Sequence, residues 1–160
     1  MSDAVNHEFY DDAYLVGILA DTKVIALIGA SSNVSRPSYA VMGYLLSKGY
    51  VVHPVNPGLA GGTLHGQQVY ARLADVPAPV DMVDIFRNSQ DALPVTQEAI
   101  RLKDTLQIKS VWMQLGVRND EAAAAAEAAG LAVVMNHCPK IEFARLSGEI
   151  AEARRAAASR

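Results

Sequence analysis

One loop in this sequence has the composition of an anion cradle. After the apolar run Lys23-Val-Ile-Ala-Leu-Ile-Gly29 the chain continues Gly29-Ala-Ser-Ser-Asn-Val-Ser-Arg-Pro-Ser38 and then becomes helix-forming. A loop of small residues between a strand and a helix exposes backbone N–H groups at the positive end of the helix dipole, which suits a phosphate or pyrophosphate. Gly29 permits the tight turn, and Ala30 keeps the approach open. Ser31, Ser32 and Ser38 add hydroxyl donors, and Arg36 carries the guanidinium fork that matches phosphate oxygens. The plainer reading of the same residues is a turn with solvated serines.

Three further clusters stand at comparable places. Tyr50-Val-Val-His-Pro-Val55 ends in Asn56-Pro57-Gly58, Val80-Asp-Met-Val-Asp-Ile-Phe86 ends in Arg87, and Ile108–Gln114 runs out through Trp112-Met-Gln-Leu-Gly-Val117. An aromatic ring, a guanidinium and the Gln114 amide are thereby expected at one edge, suited to an adenine or a pantetheine chain; for Trp112 plain core is the competing reading. Asn136-His-Cys-Pro-Lys140 enters a last helix with Pro139 near its first turn, which sets Cys138 and Lys140 beside that helix's N-terminus. A buried, inert thiol is the alternative for Cys138.

Several chemistries fit poorly. A dinucleotide fingerprint needs Gly-x-Gly-x-x-Gly, but Ser31 and Val34 occupy the second and third glycine positions, and Val52 to Asn56 offers no carboxylate for a ribose. His53, His65, His137 and Cys138 have no recognised metal-ligand spacing. Gly29-x-Ser31 lacks the closing glycine of a nucleophile elbow. Asp81 and Asp84, three apart on one strand, face opposite sides and are expected to cap or orient neighbours rather than act as a pair. With 14 basic and 17 acidic residues the net charge is −3, so no bulk positive field holds nucleic acid or a membrane, and any anion must be gripped locally.

The elements that must position these loops follow from periodicity. Apolar runs bounded by glycine and turn residues read as five buried parallel strands, at Lys23–Gly29, Tyr50–Val55, Val80–Phe86, Ile108–Gln114 and Leu131–Met135. Helices alternate with them: one through Met42, Leu45 and Leu46, one from Ser89 through Val95, Ala99, Leu102 and Leu106, an alanine-rich one at Glu121–Ala129 capped by Asn119 or Asp120, and one from about Lys140. An extra helix is expected over Asp12–Ala20, a surface connection across the glycines from Gly58 to Gly66, and a solvated basic tail at Arg154, Arg155 and Arg160. The sum is an α/β fold, a doubly wound, Rossmann-like five-stranded parallel sheet in one three-layer domain over 1–160, with its core at about 22–146. Such sheets bind ligands beyond the carboxyl ends of their strands. One cysteine and a start without a basic segment and apolar run point to a reducing cytoplasm.

Gly29-Ala-Ser31 with Arg36-Pro-Ser38, Val55-Asn-Pro57, and Trp112-Met-Gln-Leu-Gly-Val117 with Cys138-Pro-Lys140-Ile-Glu142 together resemble the stand-alone CoA-binding domain family, which is similar to the nucleotide-binding portion of the succinyl-CoA synthetase alpha subunit. The resemblance covers about Thr22 to Leu146. It implies coenzyme A with its phosphates over the first loop, its adenosine near the end of the second strand, and its pantetheine arm across the third and fourth strand loops. Gly29, Ala30, Ser31, Arg36, Ser38, Asn56, Pro57, Phe86, Arg87, Gln114, Cys138 and Lys140 are the implied ligand contacts. Ligases of this kind also use a phosphohistidine domain and a nucleotide-grasping subunit, and 160 residues hold neither. The expectation is therefore a CoA or acyl-CoA binding module acting as carrier, sensor or regulator. One alternative is a small oxidoreductase or transferase that uses a nucleotide cofactor with Cys138 as the reactive thiol. Another is an interaction protein whose crevice has lost its ligand.

Overall fold

Strand-length apolar runs survive as parallel strands only where helices cover both faces, and the chain supplies those helices in alternation. The computed structural model describes residues 4–159. In chain order it contains α1 (Asp12–Asp21), β1 (Val24–Ile28), α2 (Pro37–Ser47), β2 (Val51–Val55), the short β3 (Thr63–Leu64) and β4 (Gln67–Gln68), and β5 (Met82–Ile85). Then follow α3 (Ser89–Arg101), α4 (Lys103–Leu106), β6 (Ser110–Met113), α5 (Asp120–Ala128), β7 (Ala132–Val134) and α6 (Pro139–Ala158).

The main sheet is wholly parallel in the order β2-β1-β5-β6-β7, so the Rossmann-like doubly wound expectation holds. Its strand order reverses between β1 and β5, and that switch point is where such folds open a crevice at the carboxyl ends of the strands. Leu15 and Leu19 of α1, Met42 and Leu45 of α2, and Phe143 and Ile150 of α6 bury one face with Leu27 and Trp112. Ala92 and Ala99 of α3 and Ala122, Ala123 and Ala126 of α5 bury the other with Val83, Ile85 and Val111. Alanine on α3 and α5 lets those helices lie close to the sheet, which favours dense packing.

Capping follows the expected chemistry. Asn119 Oδ1 accepts from Ala122 N–H at 2.9 Å at the start of α5, and Asn88 Oδ1 accepts from Asp91 N–H at 2.8 Å at the start of α3. Asp81 orients its neighbours as expected, its Oδ2 accepting from the backbone N–H groups of Lys23 and Val24, both at 2.9 Å. Asp84 does not: it is 0% exposed, aligned between Leu27 and Trp112, and neither carboxyl oxygen has a hydrogen-bond partner among the described residues.

Four local features depart from the sequence reading. The helix expected to run unbroken through Leu106 divides at Leu102, and α4 stops at Gln107 in the left-handed region, φ 63°. The glycine-rich connection after β2 holds a β3-β4 hairpin whose central residues His65 and Gly66 both have positive φ, the geometry of a tight two-residue turn. His65 Nε2 donates to Tyr39 O at 2.9 Å and its ring packs on Tyr39, so this histidine pins the hairpin to α2. The basic tail is not a solvated extension: α6 continues to Ala158, and Arg154 lies over the rings of Tyr50 and Phe143 at 5.0 and 5.5 Å. Arg160 lies outside the described residues.

Among the described residues no helix is long and apolar enough to cross a membrane. The exposed edge of β7 is closed by aromatic hydroxyls. Tyr14 donates to Val133 O at 2.7 Å and accepts from Val133 N–H at 3.1 Å, while Tyr10 accepts from Met135 N–H at 2.9 Å. An unpaired strand edge is a template for unwanted pairing, and these tyrosines occupy it. Burial pushes the Tyr10 phenol up to about 12, which keeps it neutral in this role.

Candidate functional site

The turn after β1 is dictated by its neighbours. Gly29 has φ 91°, and a Cβ built on it would lie 2.5 Å from Phe86 O, so only glycine fits between β1 and the end of β5. Gly29 N–H and Ala30 N–H both donate to Val55 O, at 3.0 and 3.3 Å, and Asn56 Nδ2 donates to Ala30 O at 2.7 Å. Phe86 N–H donates to Ile28 O at 2.8 Å. The ends of β2, β1 and β5 are thus tied together, and their loops open side by side.

A cavity of about 1040 Å³ lies over these ends, at the upper end of the roughly 300–1,000 Å³ of small-molecule sites. From β1 and α2 it is lined by Gly29, Ala30, Ser31, Arg36 and Ser38; from β2 by Asn56 and Pro57; from β5 by Phe86 and Arg87; from β6 by Gln114; and from the start of α6 by Cys138 and Lys140. The structure brings every residue of the expected set to one cavity. Ser32 is exposed and stands outside it.

Trp112 takes the core reading. Its ring is 0% exposed and does not line the cavity, because it sits within the sheet beside Val134 and its Nε1 donates to His137 O at 2.9 Å. The aromatic face of the site is that of Phe86 instead.

Some lining residues carry no signal at a strand end: Ala71, Arg72 and Leu73 come from the segment after the hairpin, and Val95 and Glu98 from α3. Leu115 and Val117, from the segment after β6, and Ile141, in the first turn of α6, line the cavity as well. Arg72 pairs with Asp75 at 3.1 Å and Arg87 with Asp91 at 3.0 Å. Among the described residues no carboxylate pairs with Arg36 or Lys140, whose ammonium lies 5.6 Å from the Tyr44 ring centroid. Four cations therefore face the cavity against the single carboxylate of Glu98, although the whole chain is acidic. The N-termini of α2 and α6 also open on it, adding partial positive charge.

The remaining wall is largely apolar, with Ile28, Val41, Val55, Leu73, Val117 and Ile141. Gln114 is the polar exception. It is 7% exposed, its side-chain Oε1 has no hydrogen-bond partner among the described residues, and its backbone is fixed by Gln114 N–H donating to Ile85 O at 3.2 Å and Val117 N–H donating to Gln114 O at 2.8 Å. A buried acceptor without a donor costs free energy, and a ligand carrying an N–H would relieve it. Cations, an apolar wall and an amide acceptor together suit a long, polyanionic, amide-bearing molecule. Among the described residues no group of three or more His, Cys, Asp or Glu side chains is placed to hold a metal ion.

A parallel sheet of this order with a cation-lined crevice at its switch point defines the Rossmann-like class. Within that class the chain belongs to the CoA binding domain family, whose model matches residues 23–144. It is similar to the uncharacterized protein YneT of Bacillus subtilis (strain 168), 30% identical over 127 residues that make up 79% of this chain and 90% of that one. A hypothetical protein from Pyrococcus horikoshii OT3 superposes with a TM-score of 0.80 at 34% identity, over 91% of this chain and 99% of that one. A dinucleotide-forming acetyl-coenzyme A synthetase 1 of Ca. Korarchaeum cryptofilum, solved with phosphate and ADP, superposes with a TM-score of 0.62 at 25% identity, over 74% of this chain and 26% of that one.

Proposed function

We propose that this chain binds coenzyme A, free or acylated, in the cavity at the β1/β5 switch point, and that it does so as a carrier, sensor or regulatory module without catalysing a reaction on it. The observation that carries the reading is the lining itself. Arg36, Arg72, Arg87 and Lys140 face a largely apolar crevice in which the Gln114 amide oxygen awaits a donor. CoA offers phosphates to the first set and amide N–H groups to the second.

In this reading the Gly29–Ser38 loop and the N-terminus of α2 hold phosphate, and Arg36 supplies the paired donors. Asn56 and Pro57 border the adenosine, while Phe86, Arg87 and Gln114 border the pantetheine arm. The match to 26% of the acetyl-CoA synthetase chain supports a binding portion rather than a whole ligase. The unit that binds is the whole chain, 1–160, and a free Cys138 beside the ligand suits a reducing compartment, the cytoplasm.

The test is calorimetry on ligand-stripped protein with CoA, acetyl-CoA, NAD and ATP. Micromolar or tighter binding of CoA with weak NAD is expected, and binding of NAD in preference to CoA would overturn the assignment.

A further inference from the structure

Cys138 is the chain's one thiol, so no internal disulfide is open to it. It occupies the N-cap position of α6, yet its side chain makes no capping hydrogen bond. It is 6% exposed, packs in the same buried cluster as Ala30 and Val41, and lines the cavity. A thiol so placed meets only what the cavity admits. Gln114 gives an independent sign that the neighbouring wall is built for a ligand, since its buried amide oxygen is unpartnered within the same cavity.

We propose that Cys138 undergoes thiol–disulfide exchange with the oxidised form of the ligand, CoA disulfide, and so retains one CoA covalently. The inference rests on the CoA reading above and assigns that site a redox-dependent state. In the step, Cys138 Sγ forms a bond to one sulfur of the disulfide and the sulfur–sulfur bond of the reagent breaks. The second CoA leaves as a thiol and takes up the proton that Cys138 gave up. The disulfide reagent supplies the oxidising equivalents, and a small dithiol reductant reverses the change. Covalent retention would close the cavity to free CoA and acyl-CoA for as long as oxidising conditions last. Selectivity comes from access: a disulfide that does not bind the cavity does not reach Sγ.

Intact mass of the reduced, ligand-stripped wild-type chain reads the outcome directly, because only one cysteine can react. The chain is incubated with CoA disulfide or with glutathione disulfide, while calorimetry in the presence of reductant measures CoA binding on the same preparation. Expected is the addition of one CoA less two hydrogens, removed by dithiothreitol, absent in Cys138→Ser, and formed at least about tenfold faster than the glutathione adduct. CoA binding without the adduct, or equal rates with the two disulfides, overturns this proposal and leaves the binding reading intact. Neither binding nor adduct overturns both.

Discussion

Gly29 and Phe86 meet so closely that the backbone of one excludes a side chain on the other: a Cβ at Gly29 would stand 2.5 Å from Phe86 O, at φ 91°. This contact joins the loop after β1 to the end of β5 and sets the spacing between the Gly29–Ser38 loop and Arg87.

Gly29→Ala therefore cannot be accommodated by a side-chain shift, since the opposing atom is a carbonyl. The substitution is expected to lower stability by about 2 kcal/mol or more and to open the turn. Denaturant unfolding checks this. A variant as stable as the parent with unchanged CoA affinity would show that the turn is not required.

Arg36 faces the cavity at the start of α2 with no carboxylate partner among the described residues. Arg36→Ala is expected to weaken CoA binding by about 1–3 kcal/mol through lost charge-assisted hydrogen bonds, with the fold intact. The loss should shrink as salt is raised. Unchanged affinity by calorimetry would remove Arg36 from the site.

Burial without a partner raises the Asp84 carboxyl well above its ordinary 3.8. Below that ordinary value the folded and unfolded chains are both protonated there, and Asp84 contributes no pH dependence. As pH rises through it the unfolded chain releases a proton that the folded chain keeps, so stability falls by up to about 1.4 kcal/mol per pH unit until the raised folded value is reached. Asp84→Asn removes this term. The stability of the variant relative to the parent should therefore increase as pH rises above the ordinary carboxylate value. A relative stability independent of pH would show that Asp84 ionises normally in the fold.

The Tyr14 hydroxyl serves both backbone groups of Val133 on the β7 edge. Tyr14→Phe leaves that N–H and C=O unpaired and is expected to cost about 1–2 kcal/mol, with faster amide exchange at Val133. Exchange no faster than in the parent would show that the edge does not depend on the hydroxyl.

The strands and the site loops were legible because their signals are local. A fully covered parallel strand such as Val24–Ile28 is an unbroken apolar run, and the residues at its end, Gly29 to Ser38, carry their chemistry in their types. What was illegible depends on distance. Arg72 and Glu98 reach the cavity from the segment beyond the hairpin and from a helix flank, where nothing local marks them. Two-residue strands such as Thr63–Leu64 are too short to show alternation, and Tyr14 meets Val133 across 119 positions. The isolation of Asp84 appears only once Leu27 and Trp112 are aligned on either side of it.

The central claim, that CoA occupies the cavity at the β1/β5 switch point, is tested most directly by titrating isotope-labelled protein with CoA and following its backbone amide resonances. Saturable shifts are expected, concentrated at Gly29–Ser38, Arg87, Gln114–Val117 and Cys138–Ile141, with Tyr14 and Val133 unmoved. Saturation by CoA with shifts clustered away from these residues, or no shift at any accessible concentration, would contradict it.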